Sequence, residues 1–111
     1  MNHFYMNGYR WQVIFVDPED SRLMDRTETQ RVATTDPNTL CIYLSDELEE
    51  PFLRTVLAHE LSHCVMFSYG LLHDIHMMVD PRYWIRAEEW ICNFLANYGE
   101  RIFSLTNEIL G

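Results

Sequence analysis

Apolar residues recur with a period near two in the first half of the chain and with a period near 3.6 in the second. Trp11-Gln12-Val13-Ile14-Phe15-Val16 is mostly β-branched or aromatic and stops at Asp17-Pro18, which predicts a first strand. Residues 19–28 are polar apart from Leu23 and Met24 and read as a loop or one helical turn. Residues 29–35 have weak strand character, and Thr39-Leu40-Cys41-Ile42-Tyr43-Leu44 has strong strand character. Asp36-Pro37-Asn38 between them is turn chemistry, so the two should pair as a hairpin. Leu40, Ile42 and Leu44 alternate with Cys41 and Tyr43, so this last strand should be covered on both faces.

The helical period begins after Ser45-Asp46-Glu47, which offers N-cap residues, with Pro51 suited to a first turn. Leu53, Val56, Leu57, Glu60, Leu61, Cys64 and Phe67 follow at three- and four-residue spacing up to Gly70, a C-cap residue. This predicts a long, largely buried helix. Residues 71–82 read as a linker holding His73, Asp74, His76 and Pro81. A second helix then carries Trp84, Ala87, Ile91, Leu95, Tyr98 and Ile102 on one face, with Gly99 as a point of breakage or kinking and residues 103–111 as a short helical end. Strands followed by helices predict one α+β domain over residues 1–111, with a small three-stranded sheet packed on two helices.

At 111 residues the chain can build one core, so any site must be part of that core. Its formal charge of −9 repels phosphate backbones and anionic lipid, and the eight basic residues are scattered singly along the sequence. Nucleic acid and membrane partners are therefore not expected. Cys41, Cys64 and Cys92 lie in apolar runs and are odd in number, which reads as buried free thiols in a reducing compartment. The N-terminus lacks a basic segment followed by an apolar one, so a cytoplasmic location is expected.

His59-Glu60-Leu61-Ser62-His63 is an H-E-x-x-H pentad inside the first predicted helix. Two histidines one turn apart project from the same face at about 5–6 Å, the span needed to hold one Zn²⁺ at roughly 2.1 Å each. Glu60 is rotated about 100° from His59, placing a carboxylate beside the metal where a general base belongs. With five His and ten Glu, a shuffled chain would contain such a pentad with a probability of only about 0.02. Burial of Glu60 beside Val56, Leu57 and Cys64 would be costly without a metal-bound water or a cation to face it.

A catalytic zinc needs a third protein ligand and an open position. The candidates are Glu88 and Glu89 in Arg86-Ala87-Glu88-Glu89-Trp90-Ile91-Cys92-Asn93-Phe94-Leu95-Ala96. Glu88 sits nearer the centre of the apolar stripe, whereas Glu89 shares a line with the small residues Cys92, Asn93 and Ala96, which would let this helix approach the first. With these residues the chain resembles a zincin-type metallopeptidase with a Glu third ligand, a gluzincin, and in particular the small ImmA/IrrE-like group and phage-encoded peptidases. The E-x-E-A-N-x-F-A pattern usual in that group is followed only loosely at Glu88-Glu89-Trp90-Ile91-Cys92-Asn93-Phe94-Leu95-Ala96. Thermolysin-like relatives place an Asp four residues after the ligand Glu to support a histidine. Asn93 stands there relative to Glu89, so the resemblance favours Glu89.

The resemblance implies a minimal zincin fold in which His59, His63 and Glu89 hold Zn²⁺, Glu60 is the base and a protein or peptide is the substrate. A zinc-containing binding or regulatory module without efficient proteolysis is the alternative. His73, His76, Tyr69 and Tyr83 are the candidates for steadying an oxyanion. Residues 39–44 or their hairpin partner would bind the substrate backbone by strand addition. Cys41 could stand for the upstream cysteine ligand of peptide deformylases, but the accompanying Gly-rich and E-G-C motifs are absent. The acidic surface, including Asp46, Glu47, Glu49 and Glu50, suggests a neutral or basic protein substrate.

Overall fold

The strand that is apolar on both faces is the one that becomes interior. In a computed structural model describing residues 2–111, β1 (His3–Met6), β2 (Tyr9–Val16), β3 (Ala33–Asp36) and β4 (Cys41–Ser45) form one mixed sheet in the order β1-β2-β4-β3. β2 and β4 are parallel, and both outer pairs are antiparallel. Every residue of β4 is buried. Ile42 and Leu44 enter a core with Trp11, Ala33, Val56 and Cys64. On the opposite face Cys41 and Tyr43 pack with Val16 and Leu23. Leu23 comes from a single 3₁₀ turn at Ser21–Leu23, so the polar loop after β2 folds back as a cover anchored by one apolar residue.

The sheet has four strands where three were expected. The missed strand, β1, is joined to β2 by Asn7-Gly8, both residues having positive φ. An Asn-Gly pair between alternating strands is a strong two-residue hairpin signal, because it adopts such angles at little cost. The weak segment at residues 29–35 contributes only its end to β3, whose hairpin with β4 across Asp36-Pro37-Asn38 forms as expected. Residues 39–44 cannot receive an added strand, because β4 is paired on both sides; its hairpin partner β3 is one of the two edge strands.

Helix α1 (Phe52–Ser68) crosses the sheet on the Trp11 side. Trp11 Nε1 donates to Ser68 Oγ at 2.9 Å and Asn7 Nδ2 donates to the Ser68 carbonyl at 2.8 Å, tying the β1–β2 hairpin to the last turn. Gly70, at φ +68°, closes the helix while Leu71 N–H reaches the Met66 carbonyl at 2.9 Å. The predicted linker contains a short helix, α2 (Leu72–Met78), whose Ile75 packs with Met66 and Cys92. Trp84–Leu110 is one continuous helix, α3, so Gly99 neither breaks nor ends it and residues 103–110 continue the same rod. Its apolar stripe is covered by α2 near Ala87 and Ile91, but Leu95, Tyr98 and Ile102 are exposed. None of the described helices is long and apolar enough to cross a membrane.

A Cβ at Gly99 would meet no neighbouring atom within 4 Å, and the backbone there is helical. Gly99→Ala should therefore stabilise the protein by roughly 0.5–1 kcal/mol, through the restricted freedom of the unfolded chain. A urea titration showing a lower midpoint for this variant would contradict an uninterrupted α3.

Candidate metal centre

The pentad lies in the middle of α1, so its two histidines point away from the helix on neighbouring turns. The helix α3 crosses α1 and presents two adjacent carboxylates to them; Cys92, one turn further along, is fully buried between the helices. His59 Nε2 and His63 Nε2 lie 3.1 Å apart, and Glu89 places Oε2 3.1 Å from the first and Oε1 3.1 Å from the second. Among the described residues, His59, His63 and Glu89 form the group of His, Cys, Asp or Glu side chains whose ligand atoms converge, all within 4.8 Å of one another.

The donor set can be tested against the ion. Ligand atoms bound tetrahedrally to one zinc at about 2.1 Å stand about 3.4 Å apart. The observed edges of 3.1 Å are close to that value, and two imidazoles with one carboxylate match the ligand chemistry of catalytic zinc. The residues therefore fit zinc with a position left for water or substrate.

Glu88 does not compete for that role. Its carboxylate accepts a short hydrogen bond from His63 Nδ1, which fixes the ring so that Nε2 faces the cluster. The resemblance assigns this support to Asn93. That side chain lines the cleft without a hydrogen bond to either histidine among the described contacts. No sequence signal distinguishes the two glutamates cleanly, since their roles depend on how α3 is rotated against α1.

Glu60 is buried, and burial pushes its carboxyl pKa upward against the opposing pull of Thr35 and the two histidines. Thr35 Oγ1 donates to Glu60 Oε1 at 2.8 Å, while Oε2 lies 3.9 Å from His59 Nε2. Thr35 is a site residue that the sequence did not reveal, because its contact requires the β3 register and the α1 position together. Burial lowers the pKa of His63, but the Cys92 sulfur and the Glu88 and Glu89 carboxylates outweigh it and raise the value to about 12. Glu89 is held well below the usual carboxylate range by hydrogen bonds from His59 and His63.

These groups sit in a cleft of about 1020 Å³ between β3, α1, α3 and the loop after β2. Arg22, Arg26 and Arg31 also line it, so basic residues that are isolated in sequence are collected by the fold. Arg31 is paired with Asp25 at 2.7 Å and feels the field of Glu89. The four expected oxyanion candidates are not brought here. Tyr69 and Tyr83 are exposed outside the cleft, His73 is on the surface of α2, and His76 stacks on Trp84 at 3.8 Å between ring centres. Cys64 belongs to the core, with burial pushing its thiol to about 12, and Cys41 packs on the far face of the sheet.

Neither the models of protein families nor the curated proteins give a match to this chain.

The metal-free cluster has a definite pH signature. A raised His63 pKa contributes stability that is complete below the ordinary value of 6.5 and is lost as pH rises toward about 12. The lowered Glu89 pKa contributes stability that is present above the ordinary 4.5 and is lost in acid. In EDTA, the urea midpoint should be highest between pH 4.5 and 6.5 and decline above that window. Zinc taken up at this site would have to displace the His63 proton, so any affinity read by calorimetry should increase over the same rise in pH. An EDTA midpoint that climbs from pH 6.5 to about 9 would overturn the charge assignment.

Proposed function

We propose that the protein is a zinc-dependent endopeptidase that hydrolyses peptide bonds of a protein or peptide substrate. The observation that carries this reading is the convergence of His59, His63 and Glu89 beside the buried carboxylate of Glu60. A structural zinc would take four protein ligands and would have no use for that carboxylate. Zinc, when bound, supplies Lewis acidity and lowers the pKa of a coordinated water to about 7.

The chain's own residues perform the remaining work. Glu88 holds the His63 ring by Nδ1, keeping Nε2 available as a ligand. Thr35 occupies Glu60 Oε1, which leaves Oε2 on the His59 side to take a proton from an attacking water. The raised pKa of Glu60 lets it retain that proton and deliver it to the departing amine. Beside them, the free edge of β3 can pair with an extended substrate, and residues 32–36 of this edge line the cleft. Of the three arginines that line the cleft, Arg31, paired with Asp25, is the one that feels the field of Glu89, and it is the cation assigned here to a developing oxyanion. The three unpaired, buried thiols suit a reducing compartment such as the cytoplasm.

Glu60→Gln should retain one zinc per chain and lose cleavage of an unstructured protein mixture by about 10²–10⁴-fold, with His59→Ala losing both properties. Metal analysis and mass spectrometry of the cut termini provide the readouts. Cleavage that survives Glu60→Gln rules out this mechanism. Stoichiometric zinc without cleavage by the native protein would instead identify a zinc-containing binding module.

A further inference from the structure

The apolar stripe of α3 continues past the part of the helix that α2 covers. Ile91, Leu95, Tyr98, Ile102, Leu105 and Ile109 follow one another at alternating four- and three-residue steps, the seam of a two-helix coiled coil. Ile91 is partly buried near α2, whereas Tyr98 is 58% and Ile109 is 78% exposed. Among the described residues nothing else packs on the last three turns, where every residue from Glu100 to Leu110 is exposed.

We infer that this face is an interaction surface and that its occupant is a second copy of the chain, laid antiparallel along Tyr98 to Ile109. Charge decides the direction. Opposing Ile102 to Leu105 of the other copy also opposes Tyr98 to its Ile109, so two apolar layers form and repeat by symmetry. The same register brings Arg101 on the margin of the seam beside Glu108 of the other copy, giving two identical ion pairs. In a parallel pair Arg101 would face Thr106 instead, and these complementary charges would not meet.

The arrangement also fits the rest of the fold. In this register Leu110 of the second copy would stand opposite Asn97, short of the segment already covered by α2. Each Glu89 would lie about 20 Å along the helix from the symmetry axis, leaving both clefts open. The seam and its margins offer on the order of 600 Å² per copy, the lower bound for a specific dimer. The segment from Glu100 onward carries only Glu100, Arg101 and Glu108, so contact occurs where this acidic chain has little net charge.

Sedimentation equilibrium of the full chain, from about 1 to about 200 μM, tests the inference over the affinity range such a contact spans. The mass should rise with concentration from 13.3 kDa toward twice that value. Ile102→Glu, at an exposed site, should keep the native circular dichroism spectrum and remain monomeric. Arg101→Glu should raise the dissociation constant about tenfold or more, and adding Glu108→Arg should restore it. A native chain that remains monomeric throughout overturns the inference and leaves the stripe to a different protein. Dimerisation unaffected by Ile102→Glu overturns the surface, and failure of the double charge reversal to restore binding overturns the antiparallel register.

Discussion

Everything at the site depends on α1 and α3 meeting so closely that two adjacent glutamates reach two histidines one turn apart. Polar side chains at such a crossing would ordinarily destabilise the core, since each charge must leave water. Here every charge has a partner: His63 lies between Glu88 and Glu89, and Glu89 also receives His59. No buried side-chain nitrogen or oxygen among the described residues lacks a hydrogen-bond partner. The cluster therefore holds two helices together while remaining at the bottom of an open cleft.

The parts of this arrangement legible in the sequence are those fixed by local geometry. H-E-x-x-H spacing sets the direction of His59, Glu60 and His63 as soon as residues 52–68 are helical. Both-sided apolarity marks β4 as interior, and Gly70 marks the end of α1. What depended on how elements are rotated against each other was not legible. Glu88 and Glu89 are neighbours whose different roles are decided by the α3 crossing, and Thr35 reaches Glu60 across 25 positions of sequence. The stripe on α3 shows a different limit. Periodicity announces an apolar face but does not say what covers it, and on that face Leu95, Tyr98 and Ile102 are exposed.

The cover over the outer face of the sheet has a similar lesson. A loop of mostly polar residues is held in place because Leu23 is completely buried between Val16, Cys41 and Tyr43. Arg22 lies over the Tyr43 ring, and Thr34 donates to the Arg22 carbonyl at 2.6 Å, fastening the loop to β3. Through these contacts a segment with little structure of its own brings three arginines to the cleft. The overall acidity of the chain consequently says little about the potential where a substrate would sit.

Thr35 gives the pairing of β3 with β4 a chemical meaning. It stands opposite Ile42, with Ala33 on the same core-facing side and Thr34 turned to the other face toward the loop. Side chains alternate across a strand, so a slip of one residue would send Thr35 outward and bring Thr34 or Asp36 against Glu60. The pairing that aligns this edge strand thus also selects which side chain touches Glu60. Under the proposed mechanism, strand register is an instruction about proton transfer as much as about folding.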